Sequence, residues 1–278
     1  MTSSILFLMA GLLAVAGTVI IWRNALQRRN QPEENPTHSI ATLLSIAIGL
    51  NIWAIHLLNS VTAEGINFNL ATGAAVLTLL VHVIYTIGIL RHGIQGLGLF
   101  LLPITAIPLF LIPLLPEAHA ANWVHTSSLL ETSHLLLSMG AYAVLTLAAI
   151  HAVMQIMLDR ALKKKQLSTF VQALPALMDI ERHMFAQVKA ASILIGISIL
   201  TGLLWQWIDH QHLALLNHKV LLALFSLAVL ILLQFKRHQA SWPTRIASQA
   251  VLMAYGLLML SYFGVKLIHS LLIHSLPN

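Results

Sequence analysis

The sequence predicts an all-α integral membrane protein, a polytopic bundle with eight transmembrane helices. Three observations carry that prediction. Of 278 residues, 58% are hydrophobic and only 9% are charged. The mean hydropathy is +0.83. Apolar runs of about 20 residues, the length that advances ~1.5 Å per residue across a ~30 Å hydrocarbon core, recur eight times. A soluble domain carries roughly 25% charged residues, so a water-soluble enzyme is excluded, and so is a disordered chain. The absence of cysteine excludes a disulfide scaffold, a thiolate-ligated metal or iron–sulfur centre, and a covalent C-x-x-C-H haem attachment.

Taken in order, the runs cover about 3–23, 38–60, 70–91, 97–116, 128–158, 186–208, 216–235 and 246–270. They are too long for membrane strands and lack the short apolar/polar alternation of a barrel, so no strand is expected. The first run has no positive residue before it and Arg23, Arg28 and Arg29 after it, which reads as a first span rather than a secretory signal. The second ends at His56, and the third holds His82. The fourth carries Pro103, Pro108, Pro113 and Pro116, which predicts a kinked or broken helix. The fifth contains His134 and His151, and the sixth ends in Trp205 and Trp207. His218 and Lys219 open the seventh; Lys266 and His269 close the eighth, with His274 beyond. Between the fifth and sixth runs, about 159–185 forms a basic segment. Its Leu177, Ile180, Met184 and Phe185 share one helical face, predicting a short helix at the inner membrane surface.

Charge sets the orientation. Arginines after the first run hold that end inside and send the amino terminus outside. With eight crossings both termini are expected outside. The inner segments then hold Arg23, Arg28, Arg29, Arg91, Arg160, Lys163, Lys164, Lys165, Arg182, Lys189, Lys236, Arg237 and Arg245, and only Lys219 and Lys266 face outward. The net charge of +6 is therefore a topology signal and not a nucleic-acid footprint.

Fifteen histidines outnumber the four tyrosines and six tryptophans together. Burying an imidazole costs free energy unless its nitrogens find partners, so an ionisable group at membrane depth points to function. His38, His92, His183 and His238 fall at the inner interface, where headgroups suffice to solvate them. His82 reads as a packing residue bonded to a neighbour. His151 reads as packing or as part of a second site. At the outer rim, however, four different runs present His56, His134, His218 and His269 or His274 at one depth. Either these are four separate structural histidines or they serve a common ligand. Few carboxylates lie nearby, which disfavours a zinc or di-metal centre. Neutral imidazole is also a strong haem-iron ligand. Leu135, Ala141 and Tyr142 offer an apolar wall, Trp205 and Trp207 offer aromatic faces, and Lys219 and Lys266 offer cations for two propionates or for lipid headgroups.

These residues also carry a resemblance. His134-Leu-Leu-Leu-Ser-Met-Gly-Ala-Tyr resembles the periplasmic-histidine helix of the cytochrome c assembly (CcsA-type) haem-handling membrane proteins. Leu174-Pro-Ala-Leu-Met-Asp-Ile-Glu-Arg, Ile197-Ser-Ile-Leu-Thr-Gly-Leu-Leu-Trp205, His218-Lys219, Trp242 and Tyr262-Phe-Gly-Val-Lys266 continue the likeness in order, from about residue 40 onward. It is most similar to the short standalone (YpjD/HemX-like) branch. The resemblance implies a single membrane domain in a bacterial inner membrane that binds haem b non-covalently at its periplasmic face. His134 and His274 would be the axial ligands, with His269 as the alternative to His274. It also implies a second cytochrome c maturation subunit or apocytochrome c as partner. Trp205-Gln-Trp-Ile-Asp-His-Gln-His departs from the family's Trp-Asp-Pro-Lys-Glu-Thr-Trp string, and Gln234 or Phe235 stands where the family has a second intramembrane histidine. Outer-face binding is thus better supported than passage of haem through the protein. No nucleophile–base pair or nucleotide loop is present, so the chain is read as non-catalytic. The alternative is a membrane regulator of haem biosynthesis (HemX-like) acting through the basic 159–185 segment.

The orientation is testable with reporter fusions. Fusions at Ser60, Ala120 and Asn278 should report outside, and fusions at Gln31, Lys164 and His238 inside. One reversed position would undo the sorting of histidines by compartment.

Overall fold

A computed structural model describes residues 2–27, 37–58, 61–62, 65–115, 123–124, 129–165, 168–210, 217–239 and 244–264. Eight helices are long and apolar enough to cross a membrane. In chain order the α-helices are α1 (Thr2–Gln27), α2 (Thr37–Leu57), α3 (Leu70–His92), α4 (Gly98–Leu111), α5 (Leu129–Lys163), α6 (Thr169–Gln172), α7 (Leu177–His210), α8 (His218–Gln239) and α9 (Thr244–Met259). A π-helical turn, Leu260–Gly264, closes the last span.

The helices form two groups. α1 packs on α2 and α4, and α2 packs on α3; α5 packs on α7 and α9, and α8 joins α9 and α7. α3 against α5 connects the groups. Close approach at α5 follows from its composition, since Ala141, Ala143, Ala148, Ala149 and Ala152 are all buried. Its buried polar side chains are tied to the neighbours. Gln155 donates to Glu181 Oε2 (3.3 Å) and accepts from Ser248 Oγ (2.7 Å), which links α5, α7 and α9. Tyr142 donates its hydroxyl to the Leu258 carbonyl at 2.8 Å. In the first group, the Thr105 hydroxyl donates to Leu101 O at 2.9 Å, so His82 Nε2, 2.8 Å away, is the donor to Thr105 Oγ1. His82 is thus a packing residue, as the sequence suggested.

The fourth span passes through Pro103 and Pro108 within α4 and breaks into a 3₁₀ turn, Ile112–Leu114, around Pro113. Two elements differ from expectation. The first is a small antiparallel sheet, β1 (Val61–Thr62), β2 (Gly65–Asn67) and β3 (Trp123–Val124), with Val61 opposite Ile66 and Ile66 opposite Val124. It joins the α2–α3 and α4–α5 connections, where backbone groups outside any helix must still find partners. The second is the surface helix expected within 159–185. α5 continues to Lys163, capped by a 2.7 Å Lys163–Asp159 ion pair, and α7 runs unbroken from Leu177 to His210. Pro175 precedes that helix and no proline interrupts it, while Ile180, Met184, Val188, Ala191 and Ile195 form one continuous buried face. Only α6, capped by Ser168, stands apart.

One end of the bundle gathers the last turns of α1, α3, α5 and α8 with the first turns of α7 and α9, bringing Arg23, Arg91, Arg160, Arg182, Arg237 and Arg245 to that end. The opposite end holds His134, the small sheet, the last turns of α7 and the start of α8.

Because α5 packs on three helices through alanine, enlarging one of them should overfill the core. Ala148→Leu should destabilise the bundle by about 1–3 kcal/mol, seen as a lower Tm in detergent. Leu136→Ala, on an exposed position of the same helix, should leave Tm almost unchanged.

Candidate functional site

At the end opposite the basic one, α5, α7, α8 and the last turn of α9 enclose a cavity of about 250 Å³, open on one side. His134, Trp205 and Lys219 all line it. Three helices thus bring together three of the residues singled out from the sequence. Most of the remaining wall is apolar, including Leu135, Ala141, Ile195, Ile199 and Val220. Phe68, just after β2, and Tyr262, in the closing turn, complete it. Their rings lie 5.7 Å apart, and Tyr262 donates to the Phe68 carbonyl at 3.4 Å. The small sheet therefore positions part of the cavity wall.

The His134 ring is held by α7. Its Nδ1 lies 2.7 Å from the Ser198 carbonyl and 3.2 Å from Ser198 Oγ. A carbonyl can only accept, so Nδ1 carries the hydrogen; in the neutral tautomer with that arrangement the lone pair is on Nε2. Metal-bound histidines are held in the same way, with one ring N–H on a backbone carbonyl and the other nitrogen on the metal. Gly202, one turn beyond Ser198, leaves room for the ring. A Cβ there would lie 2.8 Å from His134 Nδ1 and 2.9 Å from Cε1. The donors here are those a metal-centred planar group would use: a half-buried imidazole held through Nδ1, apolar side chains, an indole and a lysine. Among the described residues no three histidine or carboxylate side chains are spaced to hold a bare metal ion.

The other expected residues are placed differently. His56 is exposed on α2, its ring 5.7 Å from Trp53, and does not line the cavity. His218 is exposed beside Lys219, and Trp207 is 54% exposed on α7; neither lines it. Their helix faces turn away from the α5–α7–α8 junction. Lys266, His269 and His274 lie outside the described residues. Sequence reading placed Tyr142 in the wall but missed its contact with Tyr262, 6.3 Å between ring centroids, and the roles of Ser198, Gly202 and Phe68. For Ser198 and Gly202 a signal existed, since with Gln206 they recur every four residues on one face of α7.

The fold and the cavity define a polytopic helical membrane protein with a histidine-bearing apolar site at one end. The chain belongs to the cytochrome c assembly protein family, whose model matches residues 2–273. It is 31% identical over 140 residues, 50% of this chain and 52% of the relative, to an uncharacterized 28.8 kDa protein of Azospirillum brasilense. It is 28% identical over 75% of its length to the inner membrane protein YpjD of Escherichia coli, covering 78% of that protein. It is also 28% identical over 54% of its length to protein HemX of Brevibacillus brevis, covering 56% of it. The chain thus spans about half the length of the first and third of these relatives. No solved structure matches it.

The His134 arrangement predicts a specific tautomer. In protein carrying ¹⁵N-labelled histidine, the His134 ring should show Nδ1 protonated and Nε2 bare. Gly202→Val should abolish that signature and destabilise the protein by about 1–3 kcal/mol through overpacking. An unchanged tautomer in the valine variant would mean that α7 does not hold the ring.

Proposed function

We propose that this protein binds haem b non-covalently in the His134 cavity, at the periplasmic face of a bacterial inner membrane, and takes part in cytochrome c maturation or haem handling without catalysing a reaction. The observation that carries this reading is the 2.7 Å bond from His134 Nδ1 to the Ser198 carbonyl, which reserves Nε2 for iron. Family membership supports the haem assignment, and the name of the YpjD relative supports the inner membrane. Both termini are assigned outside, following the charge sorting.

His134 would hold the haem iron through Nε2, with His274, or alternatively His269, as the second nitrogen ligand. The Trp205 indole and the aliphatic wall of α5 and α7 would exclude water from the bound group, and Lys219, with Lys266, would offer cations to its propionates. When bound, the haem supplies an iron centre whose spin and retention depend on both axial nitrogens. A second cytochrome c maturation subunit or apocytochrome c is the expected acceptor.

The second reading is a non-catalytic regulator of haem biosynthesis acting through the basic 159–185 segment. It is favoured by the likeness to protein HemX.

The two readings part in the absorbance spectrum of detergent-purified protein. Haem binding predicts a low-spin b-type spectrum with two nitrogen ligands. His134→Ala should lower occupancy about tenfold or more and shift the spin state, and added imidazole should restore six-coordination. Lys219→Gln should weaken retention without changing the spin state, since a propionate partner does not touch iron. A colourless preparation that haem fails to reconstitute would sink this reading in favour of the regulatory one.

A further inference from the structure

A second cavity, of about 780 Å³, lies at the basic end, between the last turns of α1, the turn after α3, α6 and the first turns of α7. Its walls are interlocked rather than loosely apposed. A Cβ on Gly96 would lie 2.6 Å from the Ala173 carbonyl and 2.9 Å from Pro175 Cδ, so only glycine lets the 93–97 turn seat on the 173–175 segment. Tyr85 holds the same turn, donating its hydroxyl to the Gln95 carbonyl at 3.0 Å, and Gln95 Nε2 donates to Thr37 Oγ1. The cleft is therefore preformed.

Its chemistry is that of an anion site. Arg182 lines it as a permanent cation, with His92 and His183 beside it and Asp179 as the only carboxylate among the described lining residues. His92 sits in the last turn of α3, where the helix dipole favours positive charge. The half-buried His183 ring lies edge-on to the exposed His92 at 5.6 Å and tilted against the buried His151 at 6.0 Å. Each imidazole carries at least one ring N–H that can donate to an anion. A guanidinium fork and two imidazole N–H groups match an oxyanion with three acceptor oxygens. Ile21, Ile94 and Leu174 give the same cleft an apolar side.

We propose that this cleft is a binding site for a phosphate ester carrying an apolar or glycerol-like body, anchored by Arg182 with His92 and His183. The phosphate comes either from a phospholipid headgroup or from a soluble phosphate ester. The site is independent of haem at the opposite end.

The test uses full-length protein in detergent, with and without haem. Glycerol 3-phosphate is titrated by calorimetry, and retained phospholipid is read by native mass spectrometry. Saturable glycerol 3-phosphate binding supports a soluble ester, and retained phosphatidylglycerol without such binding supports the headgroup. In either case Arg182→Gln should weaken retention or affinity about tenfold or more, as expected for loss of a charge-assisted bond. Lys163→Gln, which removes an exposed charge outside the cleft, should change nothing. Should Arg182→Gln prove aggregated on size exclusion, His92→Asn decides, with a smaller loss in the same direction. The proposal is overturned if neither phosphate probe is held, if succinate binds as tightly as glycerol 3-phosphate, or if Lys163→Gln weakens binding as much as Arg182→Gln.

Discussion

A 35-residue helix with its polar groups buried constrains everything packed around it. α5 runs Leu129–Lys163 and buries Tyr142, Thr146, His151 and Gln155 among its alanines. In a low-dielectric interior an unpaired buried polar group costs about 1–3 kcal/mol, so each must meet a partner on a neighbouring helix or on its own backbone. Tyr142 meets the carbonyl of Leu258, Gln155 meets Glu181 and Ser248, and His151 turns back to its own Leu147 carbonyl at 2.8 Å. These bonds set the depth of α7 and α9 against α5. With that depth set, Ser198 comes opposite His134, and the outer cavity follows from it.

The two ends of the bundle carry different chemistry for a simple reason. Positive charge gathers at one end of the spans, and the cavity there is polar and walled by short connecting segments. At the other end, among the described residues, Lys219 is the one cation near the cavity, and helix faces rich in aliphatic side chains wall it. The first suits an anion in contact with water. The second is a mostly apolar cavity with His134 and Lys219 as its basic groups among the described residues. Arg237 illustrates how charge is accommodated at the basic end, its guanidinium 3.6 Å above the Phe185 ring.

Much of this was legible in the sequence. Apolar run length located the eight described helices long and apolar enough to cross a membrane, and proline placement at 103, 108 and 113 foretold the irregular fourth span. His134 and Lys219 stood out because each is a polar group at the rim of an apolar helix. What the sequence reading missed depends on pairing between segments. The small sheet joins strands of two and three residues from separate connections, too short to show any period. His92 and His183 each read as a lone interfacial histidine. They meet only because the turn after α3 seats on the segment before α7.

The amino-acid sequence by itself determined that the chain is a helical membrane protein with eight apolar spans and that its arginines fall at one end of the spans. Composition and period suffice for these, because the bilayer imposes one length and one polarity on every crossing helix. Only the tertiary structure decided which rim residues share a cavity. It placed His134, Trp205 and Lys219 together, left His56, His218 and Trp207 on exposed faces, and chose the histidine nitrogen that stays free. The physical reason is rotation: depth in the membrane follows from position along a helix, whereas the direction a side chain faces follows from how each helix turns to bury its small residues against its neighbours.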